Sequence, residues 1–531
     1  MAGVDVNYFT CTLEQAVQRR LQAVDAAPSF RTVLELIDEQ ARLAPSSPAI
    51  GFANFTASRA PAPPLTFRQL HDLSVAAARE LSSLVEPPDG GRENPTIGLL
   101  CASSLDFVLT WLGLMRLGWA ILLLAPQLEA RAAEHLCRVL DIRVVFTDSE
   151  ERGGKINDGI RIVNIPSYHR CQASPRTSGR LHVAKRPRVP PIAYFCHTSG
   201  TSSGLPKPIA QMHFGVVGAL PRFCQRHEPA TFSTTPLYHG GLADCLRAWT
   251  SGALIWLFPE GLAPVTTANL LEAVRYARSR CAVPIRYFSS VPYVAQRLAE
   301  EDAGIKLLRS MDLVGVGGAA VPAAVGDRLI DAGVNLLSRF GSAECGFVMS
   351  SHRDYARDRE WQYLRPLGGP GLLAFEPRGD GLSELVVKPG WPSMVKTNRG
   401  DGSYATSDLF EPHCSRPNSW RYHSRADAQI TLVNGKKFDP SPLEAAISAS
   451  TPLVRDVLIF GAGHDYPGIL LFTTRSDLPP RDVTNSVWPE IDRLNAGSQS
   501  HARITKSMLV VVPVRDDQAP LDKSTMCWDA S

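Results

Sequence analysis

Residues 194–207, Tyr-Phe-Cys-His-Thr-Ser-Gly-Thr-Ser-Ser-Gly-Leu-Pro-Lys, hold the densest chemistry in the chain. An apolar run leads into Thr198, Ser199, Gly200, Thr201, Ser202, Ser203 and Gly204, and Pro206 and Lys207 follow. Small residues let successive backbone N–H groups turn toward an anion, hydroxyls add donors, and one lysine supplies a point charge. This is the composition of a phosphate-cradling loop. Its spacing is not the GxxxxGK[ST] of a Walker A loop, and taken alone the stretch also fits a solvated surface loop.

Such a loop needs elements to present it. Region 66–84 has a helical period: Thr66 with Gln69 fits a capping box, and Leu70, Leu73, Ala77, Leu81 and Leu84 line one face. A buried-strand pattern at 97–101, a helix at 104–117, a strand at 119–124, a helix at about 129–140 and a strand at 143–147 follow. Strands alternating with helices predict βαβ units and a parallel sheet. The Pro-, Arg- and Ser-rich stretch 172–191 reads as a solvated connection rather than a nucleic-acid patch. The alternation resumes at 192–196 and runs to about 345. Short β-like runs such as 384–388 then predict a small antiparallel or barrel-like unit. Near the end, Asn434-Gly435 marks a hairpin between 429–433 and 436–438. A helix at about 441–449, strands at 457–460 and 469–473, a helix near 484–495 and a strand at 508–514 complete an α+β module.

Composition bounds the rest. The chain has 531 residues, too many for one core of roughly 250–300. Its 55 Lys+Arg against 52 Asp+Glu give +3, which disfavours a nucleic-acid partner. The 11 cysteines are scattered with no CxxC pair, which argues for reduced thiols rather than zinc or disulfides. The first twenty residues lack a signal-peptide apolar core, and the most apolar stretch, 97–126, is broken by Asp106, Arg116 and Gly118. The expected class is a cytoplasmic, multidomain α/β protein without a membrane span.

Six further segments follow the loop in order: Pro236-Leu-Tyr-His239-Gly, Gly315-Val-Gly317-Gly318-Ala, Phe340-Gly341-Ser342-Ala343-Glu344, Tyr404-Ala-Thr-Ser-Asp408-Leu, Ser424-Arg425-Ala-Asp427 and Asp522-Lys523-Ser-Thr. Together with the loop they resemble the signatures of the adenylate-forming (AMP-binding) superfamily: acyl- and aryl-CoA synthetases, luciferases and adenylation domains of nonribosomal peptide synthetases. The resemblance spans about 30–525, and the phrasing is most similar to fungal synthetase-like adenylation domains.

The resemblance implies ATP-dependent activation of a carboxylic acid to an acyl-adenylate, with pyrophosphate released, then transfer to the thiol of CoA or of a carrier's phosphopantetheine. It implies an N-terminal core at 1–424, with subdomains at about 1–190, 191–350 and 351–424, and a mobile α+β lid at 425–531. By the same resemblance, Thr198, Ser199, Gly200, Thr201, Ser202, Gly204 and Lys207 wrap the phosphates, and Glu344 holds Mg²⁺. Ser338, Arg339, Phe340, Gly341, Ser342 and Ala343 form the loop against adenine and the α-phosphate, with Phe340 on the purine. Asp408 accepts from the ribose hydroxyls and Arg425 reaches the ribose or phosphates. Lys523 bridges the attacking carboxylate and the α-phosphate. Gly317 and Gly318 line the acid, His239 lids it, and Asp427 is the hinge.

Departures from the family pattern carry expectations of their own. Ser202-Ser203 lengthen the phosphate loop by one residue, Ala343 replaces a threonine, and Ser407, Ser424 and Ser524 stand where the pattern has glycine. Such a swap is cheap unless the site needs φ > 0 or a close approach. A catalytically weakened or inactive adenylate-binding relative is therefore the competing reading. No carboxylate falls in Leu237-Tyr-His-Gly240 to pair an α-ammonium, and Asp244 beyond it reads as structural, so the expected acid lacks an α-amino group. The chain stops eight residues after Lys523 without a carrier motif, which fits a free-standing ligase, with any carrier acting in trans, or a fragment of a longer synthetase or reductase. A GxGxxG after a strand, which an oxidoreductase reading would need, is absent.

Overall fold

The computed structural model describes residues 5–22, 30–56, 63–86, 88, 94–156, 159–173, 189–198, 205–223, 228–366, 371–427, 429–433, 436–438, 440–498 and 500–513. The helix Phe67–Ser82 begins as its sequence requires. The Thr66 hydroxyl accepts from the Gln69 N–H at 3.2 Å, and the Gln69 side chain accepts in return at 2.9 Å. Leu70, Ala77 and Leu81 are buried on its inner face. The helix Leu105–Arg116 crosses it closely, because Gly113 has no Cβ to collide with Leu81 and the Ala78 backbone.

Two largely parallel sheets form the bulk of the N-terminal part. One has six strands in the order Arg161–Asn164, Val144–Thr147, Thr96–Leu100, Ala120–Leu124, Ile192–Thr198 and Lys207–Met212. Its first five strands are parallel, and the last returns antiparallel from its neighbour. Thr96–Leu100 and Ala120–Leu124 are buried along their whole length, so they read as unbroken apolar runs rather than as alternation. The other sheet has eight strands in the order Gly346–Ser350, Leu336–Ser342, Leu313–Val316, Ile285–Ser290, Ala230–Ser233, Ile255–Leu257, Pro48–Phe52 and Leu65–Thr66. Its inner six are parallel and both edges antiparallel.

Each large sheet draws strands from both sides of residue 191. Pro48–Phe52, from the first segment, pairs with Ile255–Leu257, and the hairpin after residue 191 completes the earlier sheet. Strand order is decided by long-range hydrogen bonding, which periodicity cannot reveal.

The expected β-rich unit is a five-stranded antiparallel sheet ordered Tyr363–Leu364, Trp420–Arg425, Tyr404–Pro412, Leu382–Val387 and Leu373–Gly379. The C-terminal unit has its own core of Ile447, Val457, Ile459, Ile469, Leu471, Val483, Val487 and Ile491. These residues pack between the sheet Val454–Phe460, Gly468–Thr473, Leu509–Val512 and the helices Ser441–Ala449 and Pro480–Gly497. The expected hairpin is present as Ile430–Thr431 paired with Lys437–Phe438, while Asn434 and Gly435 lie outside the described residues.

Candidate active site

The sites of interest lie where strands of both sheets end. In the six-stranded sheet, Thr198 pairs with Lys207 as the last register pair of the hairpin. Ser199, Gly200, Thr201, Ser202 and Gly204 fall outside the described residues. Thr198 is half-buried and Lys207 exposed, at the mouth of the hairpin.

Two residues on this hairpin that sequence reasoning left without a role tie it to its surroundings. Gln211 donates to the Ala343 carbonyl at 2.7 Å, joining this hairpin to the Glu344 turn. A glutamine at a buried position of an alternating strand was the available signal. His197 accepts from the Ala125 N–H at 3.3 Å and meets the His239 ring edge-on at 5.8 Å. Nothing in the spacing announced that contact.

His239 sits in a single wide turn, Leu237–Gly241, whose helical path it breaks with φ −121° and ψ −129°. Such single-turn bulges occur frequently at functional sites. The turn closes through the His239 and Gly241 N–H groups donating to the Pro236 carbonyl at 3.1 and 2.9 Å. Gly241 is obligatory there, since a Cβ would stand 2.4 Å from the Thr235 carbonyl oxygen. Beneath His239, the Tyr238 hydroxyl donates to Glu260, whose other oxygen accepts from the Ser103 N–H at 2.7 Å.

Leu313–Val316 runs on into Gly317, which donates to the Ser290 carbonyl at 3.2 Å, and into Gly318 at φ 88°. Ser338 lies on the next strand, and its N–H donates to the Ser351 hydroxyl at 2.8 Å. Arg339 turns its side chain inward: it reaches Asp244 at 3.3 Å and Ser289 at 3.2 Å, and donates to the Phe9 carbonyl at 2.9 Å. Burial pulls its guanidinium below the ordinary arginine value, and Asp244 opposes that. Asp244 also accepts from Ser289 at 2.6 Å and from Ser233 at 3.1 Å, so its charge is spent inside the protein.

The turn after Leu336–Ser342 carries Glu344. Ser342 accepts from the Cys345 N–H at 3.1 Å, and Gly341 passes so close to the Gly346 carbonyl that a Cβ would lie 2.4 Å away. Phe340 packs edge-on to Phe410 at 5.1 Å and beside Tyr422 at 6.0 Å. Glu344 lies within electrostatic reach of Asp408, Tyr404 and Cys196.

Asp408 is paired in register with Arg425, and the two side chains approach to 3.4 Å. Burial lifts the Asp408 carboxyl to about 6, against the pull of Arg425. Arg425 also grips Asp427 through two bonds of 2.8 and 2.7 Å, which holds its guanidinium above the ordinary value. Ser407, one of the serines at a family glycine, has φ 63°, whereas Ser424 lies in ordinary strand backbone. Of these two replacements only the first is strained, and Ser524 lies outside the described residues. Lys523 lies outside the described residues.

Among the described residues no group of three or more His, Cys, Asp or Glu could enclose a metal ion, and no helix is long and apolar enough to cross a membrane. A hard cation such as Mg²⁺ fits Glu344 only with oxygens supplied by a bound nucleotide, since one carboxylate is far short of a full oxygen shell.

The family model for AMP-binding enzymes matches residues 37–374, and that for the AMP-binding enzyme C-terminal domain matches 427–528. Adenylate-forming reductase Nps10 of Heterobasidion annosum is 28% identical over 516 residues, covering 90% of this chain and 46% of that protein. An adenylate-forming reductase of Aspergillus terreus is 25% identical over 461 residues, covering 80% of this chain and 40% of that protein. The chain thus spans less than half the length of these curated relatives. Among solved structures, the anthranilate CoA ligase AuaEII, in complex with anthranoyl-AMP, superposes with TM-score 0.67 at 17% identity over 94% of this chain and 96% of that one. Fatty acyl-adenylate ligases from E. coli and L. pneumophila reach 0.69 at 15% identity, over 93% and 96%. The resemblance carried by the motifs and the layered α/β architecture lead to the same place: the chain belongs to the AMP-binding, adenylate-forming enzyme family.

Proposed function

We propose that the chain activates a carboxylic acid lacking an α-amino group, using ATP, and hands the acyl group to a thiol of CoA or of carrier phosphopantetheine. In the first step a carboxylate oxygen bonds to the α-phosphorus while the bond to the pyrophosphate oxygen breaks. In the second, the thiol sulfur bonds to the acyl carbon, its proton is lost, and AMP leaves. Both steps bring anions together, so positioning and charge neutralisation are what the protein must supply.

The observation that carries this reading is the linkage of the Thr198–Lys207 hairpin mouth to the Glu344 turn through Gln211, with the Asp408–Arg425 pair in reach of Glu344. Lys207 and the 198–204 hydroxyl and amide groups would hold the phosphates. Glu344 would hold Mg²⁺ against phosphate oxygens, and the ion would neutralise charge there. Phe340 and the Ser338–Ala343 backbone would flank the base, Asp408 would accept from the ribose, and Lys523 would meet the attacking carboxylate. The spent charge of Asp244 supports an acid without an ammonium group.

The competing reading, nucleotide binding without turnover, is favoured by the strain at Ser407 and by the extra residue in the loop. ATP–pyrophosphate exchange over a panel of carboxylic acids separates the two, run beside Lys523→Ala and a variant lacking Ser203. Exchange with at least one acid, lost by about a hundredfold or more in Lys523→Ala at unchanged thermal stability, supports catalysis. Nucleotide binding with no exchange from any variant sinks it. For the thiol step, Asp427→Pro should keep exchange and lose thioester formation, and equal loss of both rejects the hinge role.

A further inference from the structure

Residues 5–14 are stitched through the core rather than laid over it. The Asp5 carbonyl accepts from His352 at 3.0 Å, the Tyr8 hydroxyl donates to the Pro229 carbonyl at 2.7 Å, and Arg247 donates to the Cys11 carbonyl. Glu14 accepts from the Leu372 N–H at 3.0 Å. The Asn7 side chain bends the segment, accepting from the Phe9 and Thr10 N–H groups at 2.9 and 3.2 Å. The bend drives Phe9 inward until only 2% of it is exposed. Its ring stacks on Tyr287 at 4.8 Å, and the Arg339 guanidinium covers it at 3.7 Å.

Gly315 and Gly317 are two apart along one extended line, so they face the same side. At Gly317 the nearest atoms on that side are Arg339's own carbonyl oxygen and Cβ, 3.1 and 3.3 Å from where a Cβ would stand. At Gly315 it is filled: a Cβ there would lie 2.6 Å from Arg339 Nε and 2.9 Å from Phe9 Cζ. Beyond the Arg339 guanidinium, Asp244 on the helix Leu242–Thr250 is fixed to Ser233, Ser289 and Arg339. A wall of Phe9, Arg339, Asp244 and Tyr287 therefore stands two residues along from Gly317, about 6.6 Å at ~3.3 Å per residue.

We propose that Phe9 is a specificity-determining residue that closes the acid pocket beneath Gly317 and restricts the substrate to carboxylic acids with a single ring or a short alkyl tail. This rests on reading Gly317, Gly318 and His239 as the acid pocket. A longer tail must displace Phe9, which uncovers Tyr287 and takes from Arg339 the carbonyl it donates to.

Isothermal titration of sulfamoyl adenosine carrying no acyl group, a benzoyl group or a naphthoyl group tests this without requiring turnover. The wild-type chain should bind the one-ring compound at least roughly tenfold more tightly than the two-ring one. Phe9→Ala should narrow that ratio by about tenfold, and Phe9→Leu by less. Unfolding midpoints measured without ligand identify variants that still fold, and the leucine variant serves if the alanine variant does not. An unchanged ratio in either folded variant overturns the proposal, provided the unacylated nucleoside binds. If that nucleoside fails to bind the wild-type chain, the adenylate reading falls and takes this one with it.

Discussion

Asp408 and Ser407, adjacent in one strand, make opposite demands on the protein. The Asp408 carboxyl titrates near 6 in the folded chain because it is buried, against roughly 3.9 when unfolded. The folded state therefore holds a proton that the unfolded state has lost, and stability falls as pH rises from about 4 to about 6. On the proposed reading, a ribose donating hydroxyl hydrogen bonds to the ionised carboxylate would offset that loss. Adenosine, which carries no titrating phosphate, should therefore bind more tightly as pH rises through about 6, by roughly tenfold between pH 5 and pH 7.5. In Asp408→Asn the titration curve of Kd against pH should be flat. At Ser407 the cost is conformational: φ 63° is open to glycine and strained for serine. Ser407→Gly should stabilise the chain by about 1 kcal/mol, read as a raised denaturant midpoint at constant m-value. The need for glycine at this position was legible as a departure from pattern, but its cost was not, because φ is absent from a sequence and Ser424, which departs in the same way, has no such strain.

At the scale of elements, what could be read depended on whether the cause was local. The Thr66–Gln69 capping box, the buried strand Thr96–Leu100 and the Ile430–Thr431 hairpin each follow from neighbouring residues and were legible. The helix Pro480–Gly497 runs four residues earlier than its apolar period, since Pro480 is tolerated in a first turn and carries no periodic signal. The Gln211 tether, the His197–His239 contact and the inward turn of Arg339 join residues over 40 or more positions apart, and no spacing rule foresees them. The tether also makes a prediction. Gln211→Leu keeps the volume but leaves the Ala343 carbonyl without its donor, which should cost about 1–2 kcal/mol of stability. It should also raise the KM for ATP more than it lowers kcat in exchange assays, because it loosens the ground-state position of the Glu344 turn. A fall in kcat alone would mean that the tether acts elsewhere.

For the whole molecule, family membership and the layered α/β class were readable from ordered motifs, while the partition of strands between the two large sheets was not. That partition has a consequence for how the chain reaches its native state. Pro48–Phe52 must wait for Ile255–Leu257, some two hundred residues later in synthesis, and the sheet built from 96–147 is finished only by the hairpin ending at Met212. Native pairings of such sequence separation close large loops before they are rewarded, which slows folding and holds edges open to aggregation. The two lobes are thus coupled in assembly although each has its own sheet. Separate expression of 1–190 and 191–424 should yield insoluble or uncooperatively melting fragments, whereas co-expression should recover a complex with a single unfolding transition. Two independently folded fragments would show that the exchange of strands is dispensable. If it is not, an insertion near residue 190 has to leave both crossings intact, and the chain can be lengthened there far more safely than it can be divided.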